Sequence, residues 1–284
     1  MPGVAVVTDS TSSLPLDKAD NADVHVIPLQ VVVDDVSRAE GDVTAAEVAA
    51  ALRSGRRVTT SRPAPELFAA TYAALAEAGY AAVVSAHLSS KISGTVAAAE
   101  VAARLAPLPV HVVDTRVLAM ASGFAVLAGA EAARGGAEVA EVVATVERRA
   151  AASTTYFCVD SLEHLRRGGR IGAAAALLGS ALAVKPLLTV SGGEIRSYER
   201  VRTVSRARAR IAELALASLA EASDSARVDV AVHHLDNPDG AARLVAALRE
   251  RVQGRGELVV AELGAVLGVH VGPGTLGVVV SPAG

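Results

Sequence analysis

The feature that most constrains this chain is an alternation of two kinds of apolar segment. Short valine-rich runs, VAVVT (4–8), AAVVSA (81–86) and VHVVDT (110–115), are apolar at consecutive positions, the pattern of a strand covered on both faces. Between them lie longer alanine- and leucine-rich stretches with helical spacing. APELFAATYAALAEAG (64–79) has Pro65 near its start and Gly79 as its stop, GTVAAAEVAARLA (94–106) stops before Pro107, and RVLAMASGFAVLAGAEAARGG (116–136) ends on a glycine pair. Another helix is predicted over 138–152. A helix after each doubly covered strand predicts an α/β fold with a parallel sheet.

The rhythm changes near residue 155. TYFCV (155–159) reads as a buried strand, followed by a short helix, RRGGRIG (166–172) and a small-residue helix within IGAAAALLGSALAV (171–184). KPLLTV, SGGE and IRSYERVRT (185–203) read as a hairpin around a Gly-Gly turn. A helix over 205–221, the strand VDVAVHH (228–234), a helix over 238–251 capped near Asn237, the strand ELVVAEL (257–263) and the closing strand TLGVVVS complete the pattern. The prediction is two abutting domains, an N-terminal parallel-sheet α/β domain (1–155) and a C-terminal mixed-sheet α/β domain (156–284), without a linker rich in proline, serine or glycine.

Composition narrows the function classes. The net charge of −3 comes from interspersed charges, and four tyrosines, three phenylalanines and no tryptophan leave few stacking platforms. Both argue against a nucleic-acid partner. A single cysteine, Cys158, excludes an internal disulfide framework and a cysteine-cluster zinc site. His233 and His234 are adjacent, so on a strand they face opposite ways, and no His/Glu pair has zinc-ligand spacing; no metal is expected. The start, MPGVAVV, lacks a basic segment, and no apolar run reaches the ~20 residues of a membrane span. A cytoplasmic location is expected.

Six stretches can carry chemistry. In VVTDSTSSLP (6–15), Asp9, Ser10 and Thr11 follow the first strand, where ligand crevices form in open parallel sheets; the same residues are good turn formers. In VTTSRPAPELF (58–68), Thr60 and Ser61 precede a proline-initiated helix and suit either anion binding or N-capping. In SAHLSSKISGTVAAAE (85–100), Ser89, Ser90, Ser93 and Thr95 crowd a loop, Gly94 allows close backbone approach, and the next helix points its positive end there. In the fourth stretch (160–186), Gly168-Gly169 ends a helix, Arg170 follows, and an alanine-lined helix suits close packing or a slender apolar ligand. In EIRSYERVRTVSRARAR (194–210), strand alternation places Arg196, Tyr198, Arg200 and Arg202 on one face, opposite Ile195 and Val201: a solvated basic face, or a dock for an anionic partner. In LGAVLGVHVGPGTLGVVV (263–280), His270 stands among Gly264, Gly268, Gly272 and Gly274, which suits an anion nest beside a proton carrier, or a core histidine at a strand end.

Taken in order, these stretches resemble the DegV family, fatty-acid-binding proteins that serve as FakB-type subunits of bacterial fatty acid kinase. TDSTSSLP resembles the family's opening, TTSRPAP its Thr-Ser-Gln-Pro-Ser signature and LSSKISGT its Ser-Ser-x-Leu-Ser-Gly-Thr. VVDTRVLAMASGF, DSLEHLRRGGRI, KPLL, ERVRT and LGVHVGPG also fall where the family puts them. The resemblance implies two α/β domains with a fatty acid held between them. By motif position, Thr60, Ser61, Ser93, Gly94 and His270 map to the carboxylate site, with Asp9, Ser10, Arg62 and Gly272 as head-group neighbours. Arg170 and Arg202 map to the family's arginines for docking the kinase subunit or for phosphoryl transfer. The implied role is a carrier with a bound fatty acid and no cofactor. It takes a fatty acid from the membrane surface in a transient contact and presents its carboxylate to the ATP-binding kinase subunit. The acyl phosphate formed passes to an acyltransferase. One departure is Arg62 where the family has Gln.

Two rival readings use the same residues. A Ser/His lipid hydrolase or acyltransferase would take Ser93 as nucleophile and His270 as base. No Gly-x-Ser-x-Gly elbow is present, and no carboxylate except Asp9 offers itself to orient His270. A nucleotide- or sugar-phosphate-binding protein would use the same loops around a pocket with polar walls.

Overall fold

The structure, a computed structural model, describes residues 3–177, 185–222 and 227–283. It divides into two compact units, one of residues 1–30 and 61–151 and the other of 31–60 and 152–284. The chain opens with strand β1 (Val4–Asp9), helix α1 (Leu16–Ala22) and strand β2 (Val24–Ile27). It then enters the second unit for β3 (Gln30–Val33), β4 (Val36–Ala39), α2 (Ala45–Arg53) and β5 (Val58–Ser61). It returns for α3 (Pro65–Glu77), β6 (Ala82–His87), α4 (Thr95–Ala103), β7 (Val110–Asp114), α5 (Met120–Arg134) and α6 (Val139–Ala152). The second unit is completed by β8 (Thr154–Cys158), α7 (Glu163–Arg167), β9 (Lys185–Ser191), β10 (Glu194–Val201), α8 (Val204–Glu221), β11 (Val228–His234), α9 (Pro238–Val252), β12 (Leu258–Glu262), α10 (Ala265–Val271) and β13 (Leu276–Pro282).

In the first unit the sheet order is β2-β1-β6-β7, with every pair parallel. The valine-rich runs form its strands because α3 and α4 bury them: Phe68, Tyr72 and Leu75 with Ala98, Ala99 and Ala102 close over Val7 and Val83. The chain leaves β1 toward β2 on one side and reaches β6 and β7 on the other, so the sheet has a switch point between β1 and β6, the position at which such sheets place ligand crevices. The helix predicted from residue 116 starts at Met120 instead. Arg116 and Ala119 adopt φ of 58° and 52°, and the Ala119 N–H donates to the Thr11 carbonyl at 2.9 Å, so a fixed turn replaces the first helical turn.

The second unit carries a mixed six-stranded sheet in the order β10-β9-β8-β13-β11-β12 and a three-stranded sheet β4-β3-β5. Only β11 and β12 pair in parallel within the larger sheet. Helices α8 and α9 cover one of its faces, with Ile211, Leu214, Leu244 and Leu248 packed on Val230, Val232 and Val278. The predicted hairpin is present: Gly192 and Gly193, at φ 62° and 86°, make the two-residue turn between β9 and β10.

Three expectations change. Residues 31–60 were expected in the first domain, but their contacts assign them to the second unit. They form their own small sheet there, and α2 packs against α10. The shared basic face of β10 does not form. Ser197 pairs with Leu188 and Glu199 with Leu187, so Tyr198 is an extra, bulged residue. Paired residues share a face, so Arg196 now lies on the side of Val201, and Arg200 on the side of Ile195. Of the small-residue helix expected within 171–184, Gly172–Leu177 forms a 3-10 turn, and 178–184 lie outside the described residues. Cys158 is buried, and burial pushes its thiol up to about 11, so it is an inert core residue.

Leu248→Ala should cost about 2–5 kcal/mol in urea denaturation, because Leu248 is wholly enclosed between α9 and the larger sheet.

Candidate functional site

The second unit builds its site around a short helix. His270 lies near the end of α10, not at a strand end, and its Nε2 stands 2.8 Å from the Thr60 hydroxyl. Three contacts fix the helix. Glu40 accepts the Val266 N–H at 2.7 Å and caps its first turn. Gly268 lets Leu235 approach, at 3.2 Å from where a Cβ would stand, with Val48 of α2 beside it. At the far end two histidines interlock with two glycines: the His270 ring occupies the place of a Gly168 side chain, and His164 that of a Gly272 side chain.

This arrangement sets the chemistry of His270. Its Nδ1 is buried without a hydrogen-bond partner among the described residues. Burial lowers its pKa to about 4, with the charge of Arg170 adding to the effect. The imidazole is therefore neutral at physiological pH. If Nε2–H donates to Thr60, the threonine O–H is left free to donate onward; if Nε2 accepts from Thr60, Nδ1 carries the free N–H. Because Nδ1 is buried against Gly168, the donor available to an anion is the Thr60 hydroxyl of the first tautomer.

The glycines around His270 do not form an anion nest. The amides of Gly268, Gly272 and Gly274 donate to the carbonyls of Gly264, Gly268 and Leu235. Gly264 makes room for Glu40, and Gly274 for Asp160. Gly272, expected beside a head group, instead accommodates His164 at φ 74°. Here glycine serves packing between protein segments.

Thr60 and His270 open onto a cavity of about 520 Å³ within the second unit. Arg170 lines it, with Arg56, Arg57, Arg167 and His164. Arg170 follows the glycine turn at the end of α7 and donates to the Gly168 carbonyl at 2.6 Å. Arg202 is exposed between β10 and α8 and is not part of this lining. Burial lowers the pKa of His164, with Arg167 as the next cause.

The first unit holds the remaining predicted residues. Ser93 lies 2.8 Å from Thr95 at the start of α4, and the Arg62 side chain lies against Gly94. Ser61 follows Thr60 on β5 but is exposed and points the opposite way, as strand alternation requires. Ser10 accepts the Leu29 N–H at 3.0 Å and so staples its own loop.

Asp9 is wholly buried and is a scaffold anchor, not a carboxyl group open to a ligand. One of its oxygens accepts from the Thr11 amide and hydroxyl; the other meets His87 Nδ1 and the Leu88 amide. His87 Nε2 lies 2.7 Å from Ser85, whose hydroxyl accepts from Tyr72 at 2.8 Å. An Asp-His-Ser series in this order has the contacts of a hydrolytic triad, but His87 and Ser85 have no exposed surface for substrate. For the hydrolase built on Ser93 and His270, the recorded partners are Thr95 for the serine and Thr60 for the histidine.

The DegV family model, described as that of an uncharacterised protein, matches residues 3–283. The chain belongs to the DegV family. A DegV domain-containing protein of Streptomyces coelicolor is 54% identical over 279 residues, covering 98% of each chain. Among solved structures, a DegV protein from Thermus thermophilus, described for its fatty acid binding, superposes with a TM-score of 0.90 at 36% identity, covering 99% of both chains. DegV of Bacillus subtilis, described as a fatty acid binding protein, gives 0.90 at 32% identity over 99% of this chain and 100% of that one. Among the described residues no helix is long and apolar enough to cross a membrane.

Sequence reading of this DegV chain missed Glu40, His164 and the arginines Arg56, Arg57 and Arg167, and took Gly168 only as a helix stop. The helix before Arg56 was legible: Thr44-x-x-Glu47 forms a capping box. Nothing local marks Glu40, whose partner is 226 residues away.

Gly168→Ala isolates the role of the interlock. Gly168 has an ordinary φ of −72°, so the backbone tolerates alanine and the His270 ring is the main obstacle. The variant should fold yet lose the Thr60–His270 hydrogen bond, read as a change in the His270 imidazole nitrogen shifts by NMR. A second expectation concerns pH. The folded pKa of about 4 lies below the ordinary value of 6.5, so the unfolded chain binds this proton more readily. His270 therefore contributes stability above about 6.5 that is lost as pH falls toward 4. His270→Asn should show a shallower loss of stability over that window in parallel urea titrations.

Proposed function

We propose that this chain binds a long-chain fatty acid, receives its carboxylate at Thr60 and His270, and presents it to a separate ATP-dependent kinase subunit. The observation that carries the first part is a neutral histidine bonded to a threonine on a cavity wall. A carboxylate leaving water needs hydrogen-bond donors, and such donors hold it without forming a permanent ion pair. The fatty acid binding described for the Thermus thermophilus and Bacillus subtilis DegV proteins supports the ligand class. A buried tail contributes about 0.8 kcal/mol per methylene, which offsets desolvation of the head group.

In this reading Ser93 and Gly94 keep the head-group role that the family resemblance implies, with Arg62 alongside Gly94; Ser61, exposed and pointing away from Thr60, does not. Arg170 and Arg202 serve the kinase subunit, by phosphoryl transfer or docking. The carrier works in the cytoplasm, needs no cofactor, and collects fatty acid in a transient contact with the membrane surface. The acyl phosphate passes to an acyltransferase.

Mass spectrometry of solvent extracts from the purified protein should find free fatty acid in stoichiometric amount; ester turnover without a kinase would instead support a hydrolase. Thr60→Ala and His270→Ala should each weaken retention by about 1.5–3 kcal/mol, the value of a charge-assisted hydrogen bond. Ser93→Ala tests the implied role of Ser93 in the same assay. Arg202→Ala should retain fatty acid but slow its kinase-dependent phosphorylation; an empty pocket would remove Arg202 from the docking role.

A further inference from the structure

We propose that the arginine-walled cavity of the second unit binds the phosphate group of a second ligand, through Arg56, Arg57 and Arg167 with His164. Two separate segments supply the cations. Arg56 and Arg57 come from the loop before β5, Arg167 and Arg170 from the end of α7. No aspartate or glutamate is among the described residues that line the cavity.

The nearby carboxylates do not cancel this charge. Asp34 pairs with Arg56 at 2.7 Å and Asp35 with Arg57 at 3.4 Å. Glu163 is shared by Arg166 and Arg167, at 2.6 and 2.7 Å. In these pairs four arginines, Arg56, Arg57, Arg166 and Arg167, face three carboxylates, an excess of one positive charge. These pairs are solvent-exposed and weak. Each guanidinium has five N–H donors, more than one carboxylate can take. The field also reaches inward, since Arg167 and Arg170 each disfavour protonation of the neighbouring histidine.

Planar guanidinium forks on two segments of one cavity wall suit the oxygens of a phosphate. The cavity, about 520 Å³, falls within the range of small-ligand sites. The phosphate can belong to a soluble ester or to a lipid head group; the chemistry of recognition is the same.

The test is titration of the full chain with inorganic phosphate by calorimetry, with chloride at matched ionic strength as the control. Flotation with phosphatidic acid vesicles and with phosphatidylcholine vesicles runs in parallel. Wild type should bind phosphate saturably in the millimolar range or tighter, with shifts in the His164 imidazole resonances. Arg57→Ala and Arg167→Ala should each weaken binding about tenfold, with Arg57→Lys intermediate. Saturation by free phosphate supports a soluble ligand, and flotation with phosphatidic acid alone, lost in the same variants, supports a lipid head group. Absence of both overturns the proposal, as does equal binding by the double variant Arg57→Ala/Arg167→Ala. Thermal melting verifies that the variants are folded. Fatty acid retention measured on the same samples reports on the Thr60–His270 reading separately, so either idea can fail alone.

Discussion

The hydrogen bond between Thr60 and His270 is the constraint around which the second unit is arranged. A buried imidazole stays neutral at little cost, but its ring must be held at a defined rotation if Nε2 is to orient the Thr60 hydroxyl. Thr60 holds one nitrogen and Gly168 gives the ring its place. Because the ring is rigidly attached to α10, the helix itself must be fixed. The Glu40 cap, the close approach of Leu235 at Gly268 and the seat of His164 at Gly272 provide this at its start, middle and end. These contacts come from segments far apart in the chain, and residues 31–60 supply two of the anchoring side chains, Glu40 and Thr60. That segment belongs with the helix it fixes, although it interrupts the first unit in sequence.

The first unit solves a different problem. Its parallel sheet ends at a switch point, where loops carry the polar residues expected near a ligand. Loops held only by water would be mobile, and Asp9 prevents this by accepting from the loop after β1 and from Leu88 after β6. The hydrogen-bond series through His87, Ser85 and Tyr72 extends this anchor into the core. A buried polar group is costly unless every partner is present, so such a series fixes one arrangement of the loops. The same chemical groups on an accessible surface would suggest nucleophilic catalysis; burial makes them scaffolding.

Electrostatics separates the two halves of the proposed chemistry. The Thr60–His270 pair is neutral, while four arginines stand on the same cavity wall. A neutral donor pair holds a carboxylate reversibly, and arginines beside it tolerate the additional negative charge of a phosphate. The glycines follow the same logic of space. They allow histidines and acidic side chains to approach the backbone, and the amides of Gly268, Gly272 and Gly274 remain bonded to protein carbonyls.

The sequence by itself determined the α/β class, the strands β1, β6 and β7 of the parallel sheet, most helices and the Gly-Gly hairpin, because hydrophobic period and turn chemistry are local properties. It also marked Thr60, Ser93 and His270 as polar residues in small-residue loops, through the ordered resemblance to DegV proteins. Only the tertiary structure decided that His270 sits on a helix, that Asp9 is sealed in the core, that a bulge at Tyr198 splits the arginine face, and that Arg56 and Arg57 share a cavity with Arg167. Each of these depends on contacts between segments distant in sequence or on register in a sheet. A one-residue bulge or a cap reaching across 226 residues leaves no periodic trace in the chain.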